Sequence, residues 1–382
     1  MRICIDARWI HPEITGIGSY TQSLIRHLAT VDSPHTFVLL FESQEVRDRT
    51  LSHARIESHP QFESHIVPYG PFSWQSQIDL PNRLRALHLD IYHSTNFMIP
   101  FRAFPRKKRG AMACIVTIHD LIPLLFPEFT PKALKTRFHP VYRQLMKEVG
   151  ARADAIITVS ESSRRDIINH MAIPSDRQDH VKAIYEGVSS DYSPGTPPDS
   201  AHRTILYVGR MDPYKNVPAL VEAFARLIQS GMEDVRLKII GPKDPRYPRV
   251  EQLIAEFNLQ HQVDWPGYVS GDDLLNAYRS ASVFVLPSRY EGFGLPILEA
   301  MACGTPVICS NRASLPEVAG KAACLIDPDD PNALLEALTR VLSNPELAAS
   351  MSHQGIRQAA CFSWQDTATA TVRFYEEIGS IK

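Results

Sequence analysis

The chain has 382 residues, more than one ordinary domain holds, and suits two domains of roughly 150 to 200 residues each. With 44% hydrophobic and 21% charged residues it can build two cores, and a net charge of −2 with a pI near 6.7 gives no sign of a nucleic-acid partner. No run of 18 apolar residues is present, and the opening Met1-Arg2-Ile3-Cys4-Ile5-Asp6 lacks the apolar stretch of a signal peptide, so a cytoplasmic protein is expected. Six cysteines, Cys4, Cys114, Cys303, Cys309, Cys324 and Cys361, lie in apolar settings without a C-x-x-C pair and are expected to be free, buried thiols.

Arg2 to Ala7 reads as a first strand, followed by a loop and then Gly16-Ile17-Gly18-Ser19-Tyr20 opening a helix to about Ala29. Strand, glycine turn and helix together suit a phosphate. A dinucleotide fingerprint is the competing reading, with Glu42 after the strand Thr36 to Phe41 as its acid, but the third glycine position is Thr21. Val67 to Pro81 carries Tyr69, Phe72, Trp74 and Ile78 without clean periodicity, which suits either packing or a sugar or lipid contact. Asp90 to His93 reads as a strand, with His93 at its end, where it would line a cleft. Arg102, Arg106, Lys107, Lys108 and Arg109, near Phe101 and Phe104, form a basic loop that is either solvated or rests on an anionic membrane surface. Ala113 to Ile118 is a buried strand ending in His119-Asp120, at the carboxyl end where open parallel sheets bind ligands. Helix Pro131 to Val149, strand Ala155 to Val159, a helix capped by Ser160 and strand Ala183 to Glu186 complete the first half.

Between residues 188 and 203 the composition turns to Ser, Asp, Pro and Gly, the mark of a linker. The second half restarts with strand Thr204 to Val208, the loop Gly209-Arg210-Met211-Asp212-Pro213-Tyr214-Lys215-Asn216 and helix Val217 to Gln229. Arg210 and Lys215 leave one strand end on one short loop, so both cations are expected to meet one anion. Strands follow at Val235 to Ile240, before Trp265 to Val269, and at Val283 to Leu286, Pro306 to Ser310 and Ala323 to Ile326. Asp327-Pro328-Asp329 has a D-x-D spacing, but a proline turn explains it and no metal is assigned. A helix covers Asn332 to Leu342, and helical periodicity resumes from Ser363 to Lys382.

The densest chemistry lies in Pro287 to Gly304, PSRYEGFGLPILEAMACG. A buried strand enters a loop with Gly292 and Gly294, and Pro296 opens a helix stopped at Gly304. The free N–H groups and positive end of that helix suit a phosphate. Glu291 and Glu299 stand eight positions apart across the helix start. One carboxylate can reach beyond the phosphate, and the other can hold a diol.

This E-x7-E segment, the G-R-x4-K-N pattern of Gly209 to Asn216 and the Thr15-Gly16-Ile17-Gly18 run following Arg8 near the N-terminus resemble retaining glycosyltransferases of family 4, also named glycosyl transferases group 1. The resemblance covers nearly the whole chain. It implies an α/β fold of the GT-B type, two Rossmann-like domains with parallel sheets facing across a cleft: residues 1–187 for the acceptor, a linker at 188–203, residues 204–362 for the nucleotide-sugar donor, and the helix 363–382 returning to the first domain. It implies that Glu291 contacts the donor sugar, Glu299 the ribose, and the N–H groups of Phe293, Gly294 and Leu295 the diphosphate. Arg210 and Lys215 would neutralise the leaving diphosphate, with His119 near the anomeric centre and Asp120 orienting the loop or His119. Gly16 and Gly18 would lie against the donor, Gly209 would end the donor-domain strand, and Tyr268 and Val269 would flank the nucleobase. The partners implied are a nucleoside diphosphate sugar, which is a substrate rather than a cofactor, and a glycan or lipid-linked acceptor; the basic loop at 102–109 would add a peripheral contact with the inner membrane surface. No nucleic acid and no metal is implied. The pattern is similar to that of bacterial mannosyltransferases, so transfer of mannose from GDP-mannose with retention is expected. A UDP sugar such as UDP-glucose is the alternative donor. The other classes are a nicotinamide oxidoreductase, a pyridoxal-phosphate phosphorylase and a silent sugar-nucleotide binder.

Overall fold

The structure is a computed structural model describing residues 1–13, 15–106, 110–130, 137–195 and 202–381. The chain forms two compact units, one of Met1–Leu121, Pro140–Gly187 and Ser363–Lys382, the other of Ile122–His139 and Val188–Phe362. Residues 122–139 therefore belong with the second unit and not with the first, where the sequence placed them. The reason is packing: Ile122 is buried with Tyr214 and Tyr290, and Phe126 and Phe129 lie against the same cluster.

The first unit holds seven strands: β1 (Arg2–Asp6), β2 (Thr36–Phe41), β3 (Phe62–Ile66), β4 (Ile91–Ser94), β5 (Ala113–Ile118), β6 (Ala155–Thr158) and β7 (Val181–Ala183). Their order is β3-β2-β1-β4-β5-β6-β7, with every pairing parallel. All six residues of β5 are buried, as continuous apolar runs in a doubly covered sheet require. The strand expected at Ala183 to Glu186 lies at Val181–Ala183, because a 3₁₀ helix ends at His180 and Ile156 pairs at once with Val181.

Two helices frame this sheet. Gly16–Leu28 begins at Thr15, whose Oγ1 accepts from the Gly18 N–H at 3.2 Å. Trp364–Ser380 is capped by Ser363 and belongs to the first unit. Its Tyr375 is buried, and the hydroxyl meets His93 Nδ1 at 2.6 Å, while His93 Nε2 meets Thr117 Oγ1 at 2.8 Å. His93 is 0% exposed, so it is a satisfied core residue and not the cleft-lining residue expected from its place at a strand end. Burial, helped by the charge of His119, lowers its pKa to about 3. Helix His139–Arg152 occupies the later part of the long helix expected from Pro131, and residues 131–136 lie outside the described residues.

The second unit holds β8 (Arg203–Val208), β9 (Val235–Ile240), β10 (Val263–Gly267), β11 (Val283–Leu286), β12 (Val307–Ser310) and β13 (Ala323–Ile326). Their order is β10-β9-β8-β11-β12-β13, again parallel throughout. In both sheets the order reverses beside the first strand of the unit, between β1 and β4 and between β8 and β11. Crevices at such reversals, outside the carboxyl ends of the strands, are where open α/β sheets bind ligands. Helix Pro345–Ala359, which sequence reading did not anticipate, starts from Asn344, whose side chain accepts from the Leu347 N–H. All six cysteines are free. Cys4, Cys114, Cys303 and Cys309 are buried as expected, but Cys324 is half-buried and Cys361 is exposed, since the chain turns after the helix and gives the buried place to Phe362.

Candidate active site

In the second unit two loops leave the sheet at its reversal point, residues 209–216 after β8 and residues 287–294 after β11. The backbone ties them together, the Arg289 N–H donating to the Tyr214 carbonyl at 2.7 Å. Gly209 and Gly241 end neighbouring strands so closely that a Cβ on Gly241 would stand 1.9 Å from the Gly209 carbonyl oxygen.

Lys215 and Glu291 meet where these loops meet. The Lys215 ammonium lies 2.7 Å and 2.9 Å from the two oxygens of Glu291, with both side chains about nine-tenths buried. Ser288 Oγ donates to Glu291 Oε1 at 2.6 Å. Burial opposes the charge on Lys215, but the carboxylate outweighs it and holds the ammonium above its ordinary pKa. Ser314 Oγ donates to the carbonyls of Glu291 and Phe293 at 2.9 Å and 2.8 Å, which fixes the loop from below. Arg210 takes other partners: its guanidinium lies 3.0 Å from Asp212 and 3.3 Å from the Tyr214 hydroxyl, and its side chain is 67% exposed. The two cations leave one loop as expected but sit in different surroundings, Lys215 inside the protein and Arg210 at its surface.

The loop then enters helix Leu295–Ala302, one residue earlier than the sequence suggested. Its N-cap is Gly294 at φ +105°, without a side-chain cap and without an acid in the first turn. A Cβ at Gly294 would stand 2.7 Å from Leu315 Cδ2, so only glycine fits the turn. The N–H groups of the first turn are therefore not capped by a side chain of this turn, as an anion site requires. Glu299 lies one turn further along, where Tyr278 Oη donates to its Oε2 at 2.7 Å. Phe293 is buried and packs edge-on to Phe362 at 5.9 Å, so it offers backbone and not side chain.

At the end of β10, Tyr268 is 75% exposed and Val269 packs partly against the core. The D-x-D turn is taken up by arginines: Arg312 lies 2.9 Å from Asp327, and Arg289 lies 3.0 Å from Asp329. Among the described residues no three His, Cys, Asp or Glu side chains converge as a metal would need.

In the first unit His119 follows β5. Its Nε2 donates to the Thr95 carbonyl at 3.2 Å, its Nδ1 lies 3.6 Å from Glu186 Oε1, and the Tyr20 ring stands edge-on at 4.7 Å. Sequence reading left Glu186 without a role. Asp120 adds its charge to burial in holding the proton on Tyr142, so its influence reaches the helix His139–Arg152. Gly16 and Gly18 form the first turn of their helix.

The aromatic stretch is ordered from beneath and open above. Arg8, 1% exposed, donates to Asp6 from Nε and Nη2 and to the Tyr69 carbonyl and Ser76 Oγ from Nη1. On this base Phe72, Trp74 and Ile78 are 61%, 68% and 50% exposed. The basic loop is less free than expected. Arg106 pairs with Glu148 and Phe104 is buried, while Lys107, Lys108 and Arg109 lie outside the described residues. Among the described residues no helix is long and apolar enough to cross a membrane.

Known proteins resemble the chain along its whole length. The family described as Glycosyltransferase Family 4 matches residues 14–192, and Glycosyl transferases group 1 matches residues 190–358. An O-antigen chain mannosyltransferase B from Escherichia coli is 30% identical over 98% of this chain and 100% of its own length. An MMP alpha-(1->4)-mannosyltransferase from Mycolicibacterium hassiacum is 35% identical over 61% of this chain and 56% of its own. Among solved structures, a sucrose-phosphate synthase from Thermosynechococcus elongatus has a TM-score of 0.79 at 21% identity, covering 100% of both chains. Anabaena HepE, solved with UDP and glucose, has a TM-score of 0.75 at 16% identity, covering 99% of this chain and 100% of its own. The two parallel-sheet units have the GT-B fold, and the chain belongs to the group 1, family 4 glycosyltransferases.

Proposed function

We propose that this glycosyltransferase moves mannose from GDP-mannose to a hydroxyl of a glycan or lipid-linked acceptor in O-antigen or polysaccharide synthesis, with retention at the anomeric carbon and without a resident cofactor. The observation that carries the reading is the buried pair of Lys215 and Glu291 at the strand-order reversal, beside the uncapped helix start at Gly294. The relatives named as mannosyltransferases support the choice of sugar.

The barrier in such a transfer is the break of the anomeric C–O bond, as negative charge grows on the diphosphate and positive charge on the sugar ring. Lys215 and the N–H groups at the helix start are fixed donors for that negative charge and need no reorganisation as it develops. Arg210, long and exposed, adds a second cation from the surface. With these donors present, a metal is not required to neutralise the diphosphate. Glu291 accepts hydrogen bonds from the sugar hydroxyls, and Ser288 keeps it in place when Lys215 turns to the phosphate. Held on both oxygens, Glu291 is a poor nucleophile for a double displacement. Attack from the front face, with the leaving phosphate oxygen taking the acceptor proton, fits this site better. Glu299 takes the ribose, and Tyr268 and Val269 flank the base. His119, Gly16 and Gly18 are assigned to donor binding on the family pattern alone.

Thermal unfolding in EDTA with GDP, UDP, ADP, GDP-mannose, UDP-glucose and NAD tests the donor, since a ligand at a hundred times its dissociation constant adds about 2.7 kcal/mol. Stabilisation by GDP and GDP-mannose is expected. A response to UDP and UDP-glucose alone would replace the donor, and a response to NAD alone would overturn the reading.

A further inference from the structure

Glu299 is not held by its own helix alone. Tyr278, on helix Asp272–Ser280, is 0% exposed and donates to Glu299 Oε2 at 2.7 Å, and Tyr192 hydrogen-bonds the same carboxylate through its side chain. The two tyrosine rings meet edge to face at 5.7 Å, and Tyr278 packs on Phe284 of β11 at the same distance. Tyr192 comes from the segment that joins the two units in sequence, and this segment is clamped. Arg279 donates to the Ser193 carbonyl at 2.9 Å and to Ser193 Oγ at 3.0 Å, and its guanidinium lies over Gly195. Thr305 Oγ1 donates to the Tyr278 carbonyl at 2.6 Å and fixes that end of the helix. Burial and the nearby charge of Glu299 both raise the hydroxyl pKa of Tyr278 and of Tyr192, so each stays a proton donor.

We infer that Tyr278 and Tyr192 are positioning residues for the nucleotide ribose: by donating to Glu299 they keep its carboxylate turned to accept both hydroxyls of the ribose diol. The inference rests on the ribose role proposed above for Glu299. An ionised carboxylate only accepts, and it has about four lone-pair sites, so two phenol donors do not exhaust it. A vicinal diol offers two further donors of the matching kind. Without the phenols, Glu299 would gain rotamer freedom that diol binding must then remove. The tyrosines thus act on affinity for ribonucleotides and not on the chemical step.

The test compares dissociation constants of a ribonucleoside diphosphate and its 2′,3′-dideoxy analogue, using GDP, or UDP where the donor panel selects it. Wild type is expected to prefer the ribonucleotide at least about tenfold, because a polar site left unpaired rejects an analogue lacking the group. Tyr278→Phe should weaken the ribonucleotide about tenfold and leave the dideoxy analogue unchanged, with kcat at saturating donor preserved. Tyr192→Phe, on a half-buried ring, should do the same to a lesser degree and serves where Tyr278→Phe fails to fold. Equal weakening of both nucleotides, or a preference as large as that of wild type, overturns the positioning role while the Glu299 reading survives. A wild type that binds both nucleotides alike overturns the Glu299 reading, and this inference with it.

Discussion

Lys215 and Glu291 form a buried ion pair, and such a pair makes an unusual thermodynamic prediction. Lys215→Met leaves the Glu291 carboxylate inside the protein with only Ser288 as a described donor, and Glu291→Gln leaves the ammonium without its counter-charge. Removing one partner of a buried pair costs about 3–5 kcal/mol, because the other charge stays buried and unpaired. Both side chains keep 14% and 10% of their exposure, so the lower end of that range, about 3 kcal/mol, applies to each single variant. Together, Lys215→Met and Glu291→Gln remove both charges and keep the Ser288 hydrogen bond, so the double variant should cost no more than one single variant. The coupling energy is then at least about 3 kcal/mol, well above the scatter of independent sites. Hydrogen exchange of the β8 and β11 amides under native conditions reads the stability of the second unit by itself. Activity should be lost in all three variants, so stability and catalysis part company in the double variant. Additive costs, with coupling below about 0.5 kcal/mol, would show that the two charges do not act as a pair.

Other consequences follow from single positions. Gly294→Ala puts a Cβ against Leu315 on a backbone at φ +105°, and should cost about 1–3 kcal/mol and weaken nucleotide binding at least about tenfold; wild-type titration of this variant would refute the anion-loop role. His93 has a folded pKa lowered to about 3, from a model-peptide value near 6.5. Between these values the unfolded chain binds a proton that the folded chain refuses, so stability falls as pH drops through this window, by up to about 5 kcal/mol below it. Urea unfolding against pH should show this fall, and His93→Gln should flatten it; an unchanged acid limb would refute the assignment. Trp74→Ala removes an exposed ring, so stability should move by less than about 0.5 kcal/mol, and Phe72→Ala, which also loses edge contacts to Trp9 and Phe97, should cost about 1 kcal/mol or more, while in both KM for the glycan or lipid-linked acceptor rises and KM for the donor stays. Unchanged acceptor KM would mark these rings as inert surface.

Much of the sheet could be read in the sequence because parallel strands covered on both faces are continuous apolar, β-branched runs. Val283–Leu286 and Ala113–Ile118 stand where their residues suggested. The helix start at Gly294 was legible for a related reason, since glycine and proline mark the only backbone that fits there. Helix Pro345–Ala359 had a signal as well, Asn344-Pro345 being a cap and a first-turn proline, but its weakly periodic Ala, Ser and Gln content hid it. What sequence could not supply was pairing over distance. Lys215 finds Glu291 across 76 positions, and His93 is buried by Tyr375 across 282. Whether a histidine at a strand end lines a cleft or fills a core depends on a helix at the other end of the chain. Tyr278 and Glu186 carried no local mark, because a tyrosine in an amphipathic helix and a glutamate after a strand are ordinary residues until their partners are seen.

The most direct test of the central claim is proton NMR of GDP-mannose turnover in EDTA, following the anomeric signal of the first sugar product formed by wild type and by Glu291→Gln. The account predicts consumption of GDP-mannose by wild type, a product with the α configuration of the donor, and no turnover by the variant. A β product, or wild type that leaves GDP-mannose intact and consumes a UDP sugar, would contradict it.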